Sequence, residues 1–167
     1  KSCGVMVAIQ EQSKDIDMAV SQALEVRAEQ SSSDDEDDLD MIGAGDQGMM
    51  VGFACNETPE MLPLPIALSH RLCQRLALVR KEGMLSYLWP DGKSQVTVEY
   101  SHGIPKRVHT VIISAQHSPE IATDVMNREI IEMVINEVVP DDLRDDQTKI
   151  YVNPSGRVVI GGPAGDT

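Results

Sequence analysis

The sequence predicts an α+β fold, mostly antiparallel sheet with helices on one face. Three observations lead there. Apolar residues recur at helical spacing in two places: Leu68, Leu72, Leu76 and Val79, then Ile121, Val125, Ile131, Val134, Ile135 and Val138. Val96, Val98 and Tyr100 alternate with polar residues and meet a returning strand, Val108 to Ser114, across a turn at Ser101 to Lys106 that holds Gly103 and Pro105. The order along the chain is strand, weak helix, strand, helix, strand, strand, helix, strand, strand, which suits sheets that bury one face under helices.

Each element has a local reason. Residues 1–9, KSCGVMVAI, are a short Val-rich apolar run and read as a buried strand. Gln10 to Ser13 is a polar turn, and Ile16 to Glu29 is weakly helical and mostly polar. Residues 30–40, QSSSDDEDDLD, are of low complexity and read as a solvated loop; they lack the Gly and terminal Glu of a calcium loop. Met49 to Cys55 is a second apolar strand. Pro63 and Pro65 then open a helix of about 18 residues, because a first turn has amides without intrahelical partners and tolerates proline. Gly83 closes that helix. His70 lies on it with no second ligand at i+4 and reads as an ordinary helix histidine. Ser118-Pro119-Glu120 has the form of a helix start, a hydroxyl cap followed by proline and an acid at the positive end of the dipole. Pro140-Asp141-Asp142 ends that helix, and Lys149 to Val152 and Arg157 to Ile160 read as short strands around an Asn153-Pro154-Ser155-Gly156 turn.

Composition narrows the function. The chain has 167 residues and only five aromatic rings, so the core is aliphatic and a base-stacking surface is excluded. The net charge of −13 disfavours nucleic acid as a partner. Six of the acids, Asp34, Asp35, Glu36, Asp37, Asp38 and Asp40, fall in one run; without them 21 acids face 14 bases, a charge of −7. The three cysteines, Cys3, Cys55 and Cys73, have neither close spacing nor a Cys–His signature. They read as buried thiols of a reducing compartment, which makes the expected location cytoplasmic. No apolar run reaches the roughly 18 residues of a membrane span, so no membrane partner is expected.

Three segments carry chemistry beyond structure. In Gly43-Ala44-Gly45-Asp46-Gln47-Gly48, three glycines permit either a tight turn or close backbone approach to a ligand, with Asp46 as a fixed negative charge. In Pro90-Asp91-Gly92-Lys93, a turn delivers Lys93 to the mouth of a strand, where its ammonium is either a surface charge or a contact for phosphate. In residues 153–166, NPSGRVVIGGPAGD, the amides of Ser155 and Gly156 together with Arg157 could hold an anion or a purine edge, and Gly161-Gly162 offers a second close approach. No Walker, Rossmann, nucleophile-elbow or zinc pattern is present.

Taken in order, GAGDQG, PDGKSQVTV and NPSGRxxIGGPxGD resemble the central part of the S-adenosylmethionine synthetase (methionine adenosyltransferase) subunit. GVMVAIQEQSKDI, ACNETPEMLPLPIALSHRL and VIISAQHS are similar to the same family, so the resemblance covers essentially the whole chain. It implies an enzyme that joins the sulfur of L-methionine to C5′ of ATP and releases phosphate and diphosphate, assisted by Mg²⁺ and K⁺. It implies the α+β fold of that family, and a homodimer or homotetramer with active sites between subunits packed sheet on sheet. Residues 1–42 would be a strand and active-site loop followed by the acidic variable stretch. Residues 43–167 would be the central α+β domain, or two incomplete repeat domains.

The resemblance also assigns roles. Gln12 matches a glutamine that meets methionine. Asp46 matches the aspartate beside the reacting groups. Asp91, with Gly92, and Lys93 match an ATP-binding pair, the aspartate toward the nucleoside and the lysine toward phosphate. Ser155, Gly156, Arg157 and Val158 match the segment that holds adenine and ribose, and Asp166 matches an aspartate that contacts both substrates. The catalytic set would be Asp46, Lys93 and Asp166, and no metal ligand is assigned. These types suit the reaction: a thioether that becomes a sulfonium cation is stabilised by carboxylates in the transition state. Val158 stands where the family has a phenylalanine stacked on adenine, and Trp89 where an arginine precedes the Pro-Asp pair. The family's HPDK-type segment with its catalytic histidine and its GLTGRK stretch do not occur in these 167 residues. The chain therefore reads as an incomplete subunit, inactive alone; the alternative is an inactive relative that binds nucleotide or a partner subunit. A third reading makes the acidic loop a contact for a basic partner.

Overall fold

A computed structural model describes residues 4–24, 42–43, 45 and 47–165. The chain divides into two compact units, one of residues 4–52 and one built from Phe53 onward.

In the smaller unit a short helix, α1 (Lys14–Ser21), carries Asp15 and Asp17 at its positive end. It buries none of its residues. Gln22 is extended and bridges Ile42, so the predicted helical stretch from Ile16 is interrupted after Ser21; Leu24 is helical again, and residues 25–29 lie outside the described residues. Gly43 and Gly45 donate their amides to Ser21 and Val20 carbonyls at 3.2 and 3.0 Å, and a Cβ on Gly43 would lie 2.3 Å from the Val20 oxygen. The strands predicted at residues 1–9 and Met49 to Cys55 do not form among the described residues. Met6, Ile9, Met49, Met50 and Val51 are almost wholly exposed instead. An apolar run becomes a strand only when a ladder takes its amide and carbonyl groups.

The larger unit is the α+β arrangement. Helix α2 (Leu64–Lys81) follows the predicted span, with Gly83 in the left-handed region at φ 70° beyond it. Its first amide is met by the Glu57 carboxylate, which accepts from Leu64 N at 2.9 Å and from Tyr100 Oη at 2.6 Å. These two donors, the backbone one first, hold the Glu57 carboxyl below the usual range. Strands β1 (Leu88–Ser101) and β2 (Ile104–His117) pair antiparallel, and β3 (Lys149–Val152) adds parallel to β2 in the order β1-β2-β3. The hairpin turn is tighter than predicted: His102 and Gly103, with φ of 52° and 77°, make a two-residue connection whose twist matches the strands.

The second long helix, α3 (residues 123–138), starts at Thr123 rather than at the predicted Ser118. Ser118 is held by other bonds: its amide goes to the Tyr87 carbonyl and its hydroxyl accepts from Glu120 N. Residues Ile131–Ile135 of α3 are wound as a π-helix, and Arg75 Nε of α2 donates to the Met133 carbonyl there at 2.8 Å. Leu68, Leu72 and Val79 of α2, Ile130, Val134 and Ile135 of α3, and Val108, Val111 and Ile113 of β2 form one fully buried core on one face of the sheet. The opposite face carries Lys93, Gln95, Thr97, Thr110, Ile112, Ser114 and Tyr151 and no helix of this unit. Among the described residues the stretches expected as strands at residues 1–9 and Met49 to Cys55 add nothing to this sheet, and its open face is mostly polar. Arg157 to Ile160 is not a strand either. Among the described residues no helix is long and apolar enough to cross a membrane.

Candidate functional site

The site is assembled at the end of β2 where β3 gives out. The ladder stops at Val152 opposite Ile113, and Asn153 takes over from it. Its amide donates to Ile113 O at 2.8 Å, while its side chain accepts from Ala115 N at 2.8 Å and donates to Ala115 O at 3.1 Å. One buried carboxamide therefore stands in for the next residue of a strand, with Asn153 itself turned to φ 46°. The chain can then leave the sheet. Pro154, Ser155, Gly156 and Arg157 form an exposed turn, closed by Gly156 N to Asn153 O at 2.9 Å, with Gly156 at φ 102°.

The turn is caught again on its far side. His117 N donates to Val158 O at 3.0 Å, and Val158 N donates to His117 Nε2 at 3.2 Å. Gln116 Nε2 reaches Val159 O at 3.0 Å, and Arg157 Nη2 reaches Pro119 O at 2.8 Å. The exposed residues 154–157 are thus a loop clamped at both ends by buried or half-buried groups.

Asp91 comes to the same chain segment from β1. Leu88 pairs with His117 and Gly92 with Ala115, so two extra residues bulge between them. Trp89, Pro90 and Asp91 are this bulge, and Gly92 is back in register, so Pro90-Asp91-Gly92 lies within an edge strand rather than in the free turn predicted from its sequence. A bulge re-aims a side chain, and proline is tolerated where its missing amide faces outward. Asp91 Oδ2 accepts from Gly162 N at 3.0 Å. Gly161 is a glycine for this contact, since a Cβ there would lie 2.6 Å from the same oxygen. Gly92 faces the other way, where a Cβ would meet Leu76 Cδ2 at 2.7 Å.

Lys93 is exposed and lines an open groove of about 570 Å³ with Pro65, Ser69, His70 and Gln95. Cys73 borders the same groove, its Sγ 3.2 Å from Ser94 Oγ; it and Cys55, read as buried thiols, are free and half-buried. His70 is exposed, as an ordinary helix histidine. Gln12 is exposed in the smaller unit. Asp46, Asp166, Cys3 and the acidic run 34–40 lie outside the described residues.

Two comparisons place the chain among known proteins. The family model for the central domain of S-adenosylmethionine synthetase matches residues 41–158. The chain belongs to that family. An S-adenosylmethionine synthase of Roseiflexus castenholzii is 58% identical over 166 residues, 99% of this chain. The chain spans 40% of that relative's length. The family's central-domain match takes in Asp46, Asp91, Gly92, Lys93 and the segment Ser155 to Val158, whereas Gln12 and Asp166 fall outside it. Asp91 meets the glycine segment 161–162 directly, while Lys93 opens onto the groove beside α2.

Sequence reasoning gave His117, Asn153 and Gln116 no part in holding the turn at residues 154–157 in place, which they do. A signal was available. The alternation that puts Val111, Ile113 and Ala115 on the buried face of β2 puts His117 there too, and a histidine on an apolar face must find partners. Among the described residues no group of three or more His, Cys, Asp or Glu could hold a metal ion. Among them there is no such carboxylate cluster for the Mg²⁺ that the family resemblance implies.

Proposed function

We propose that the protein containing this chain is a methionine adenosyltransferase that forms S-adenosylmethionine from ATP and L-methionine. The observation that carries this is the identity of 58% across 99% of the chain to a protein named S-adenosylmethionine synthase. The convergence of Asp91 on the Gly161-Gly162 segment agrees with it.

In the proposed reaction the neutral thioether sulfur attacks C5′ of ATP. The S–C bond forms as the C5′–O bond breaks, the electron pair leaves with the triphosphate, and triphosphate is then hydrolysed to phosphate and diphosphate. Ser155, Gly156, Arg157 and Val158 hold adenine and ribose, Asp91 faces the nucleoside, and Lys93 meets the polyanion as a point charge. Asp46 and Asp166 stand by the developing sulfonium, where a carboxylate stabilises the transition state more than the neutral ground state. Gln12 meets methionine. Mg²⁺ and K⁺ belong to the proposal with ligands outside the described residues, and no step is drawn through them. The open sheet face would pack on a second copy, giving a homodimer or homotetramer.

Steady-state kinetics on the full-length protein tests this. Lys93→Ala is expected to raise KM for ATP and lower turnover; Asp166→Asn is expected to lower kcat chiefly, because the charge it opposes exists mainly in the transition state. The 167-residue chain alone is expected to form no S-adenosylmethionine. A full-length protein that releases no phosphate and diphosphate from ATP and methionine, or near-wild-type constants for both variants, would remove the reading.

A further inference from the structure

We infer that His117 is the positioning residue of the nucleotide segment: its imidazole fixes the backbone of Val158, and so sets where the turn at Ser155, Gly156 and Arg157 presents its amides. This rests on the proposed role of that turn in holding ATP.

The argument begins with burial. His117 is only 1% exposed at the end of β2, so each ring nitrogen must be satisfied inside the protein. Nδ1 lies 2.8 Å from Ser118 O, which can only accept, so Nδ1 carries the hydrogen. Nε2 lies 3.2 Å from Val158 N, whose hydrogen can only be donated, so Nε2 is the acceptor. The partners alone fix one tautomer and one ring orientation. The same residue's backbone amide holds Val158 O at 3.0 Å. Val158 is therefore gripped on both its carbonyl and its amide by a single residue.

The grip has a directional consequence. Arg157 to Ile160 has no ladder of its own, so nothing regular sets its path. Asn153 anchors the entry to the exposed turn at Ala115, and His117 anchors the exit. These are the two buried anchors of the loop, joined by the half-buried Gln116 on Val159 O and by Arg157 on Pro119 O. A preorganised loop binds its ligand without the cost of ordering. His117 need not touch the nucleotide; it acts through Val158.

The test uses the full-length protein, with a non-hydrolysable ATP analogue as the probe in calorimetric titration and thermal unfolding as the companion measurement. His117→Ala is expected to weaken analogue binding about tenfold, the scale of one lost hydrogen bond, with KM for methionine unchanged. Glutamine can place an amide oxygen where Nε2 stands, whereas asparagine ends at the position of Nδ1. His117→Gln is therefore expected to restore binding and His117→Asn to leave it weak, and this pair carries the test if the alanine variant does not fold. Gly156→Val, in the exposed turn itself, separates the two layers. If it leaves analogue affinity unchanged, the turn does not hold nucleotide, and the inference falls with that reading. If it weakens binding while the His117 variants bind normally, the inference alone is overturned. Equal loss of affinity in all three His117 variants marks a packing role and overturns it as well.

Discussion

Replacing Gly161 with alanine should act entirely through Asp91. Gly161 is extended, at φ −152°, a backbone that any residue adopts, so the substitution brings no backbone strain. The new methyl group would stand 2.6 Å from Asp91 Oδ2 and 3.4 Å from Asp91 Cβ and Cγ. The carboxylate has to rotate away, which breaks its bond from Gly162 N at 3.0 Å. A hydrogen bond to a charged acceptor contributes about 1.5–3 kcal/mol, and Asp91 is only half-buried, so the lower end applies. Alanine restricts the unfolded chain and recovers about 0.4–1 kcal/mol. The net loss is therefore roughly 1 kcal/mol. In an Asp91→Ala background the colliding oxygen is gone and only the 3.4 Å Cβ contact is left, an ordinary distance. There Gly161→Ala should be neutral or stabilising by about 0.5 kcal/mol. Equilibrium urea unfolding of the four proteins gives the coupling, expected at about 1–2 kcal/mol. Costs that add to within about 0.5 kcal/mol would refute a direct Gly161–Asp91 contact.

Three further outcomes follow from other contacts. Arg107 makes two bonds of 2.6 Å to Asp145, holding its carboxyl at about 2 against the ordinary 3.8. Because the folded value is the lower, this pair's stabilisation is complete above about pH 4 and is lost as pH falls through 2. Asp145→Asn should flatten that part of the acid limb in unfolding curves taken from pH 5 to pH 2, and an unchanged limb would exclude the pair. Burial first, and then the Glu57 carboxylate, push the Tyr100 phenol up to about 12; Glu57→Gln should lower it part of the way toward 10 in an ultraviolet titration, and no movement would contradict the 2.6 Å bond. Leu68 is fully buried between α2 and the sheet, so Leu68→Ala should cost about 2–5 kcal/mol in denaturant unfolding, and a loss below about 1 would show that the site collapses around it.

The parts of this fold that were legible are those decided within a few residues. Pro63, Pro65 and Gly83 bracket α2 because proline and glycine dictate backbone angles themselves. The Val96 and Val108 strands were legible because a period of two is local. The misread parts were decided from afar. Ser118-Pro119-Glu120 has every mark of a helix start, but the Ser118 amide is claimed by Tyr87 and the Pro119 carbonyl by Arg157. The π-winding at Ile131 is met by an arginine some sixty residues earlier in the chain. Arg157 to Ile160 is apolar enough for a strand, yet Val158 spends its amide on a histidine ring instead of a ladder. The site divided likewise. The residues proposed to face ligand stand out in the motifs, whereas His117, at the end of β2, and Asn153, just past β3, lie far apart in the sequence and hold the turn only after folding.

The mixed sheet also sets an order in time. β1 and β2 are joined by two residues, so their pairing closes a small loop and can form early. β3 joins β2 in parallel only after residues 118–148 have crossed back, a much larger loop to close. The turn at residues 154–157 hangs from the far end of that late strand, fastened by side chains rather than by a ladder. It is therefore expected to be among the last segments of this unit to set and the first to loosen, so amide exchange at Gly156 and Val158 should outpace that in the β1–β2 hairpin. Local opening of this one turn would free residues 154–158 while the hairpin and both long helices stay folded.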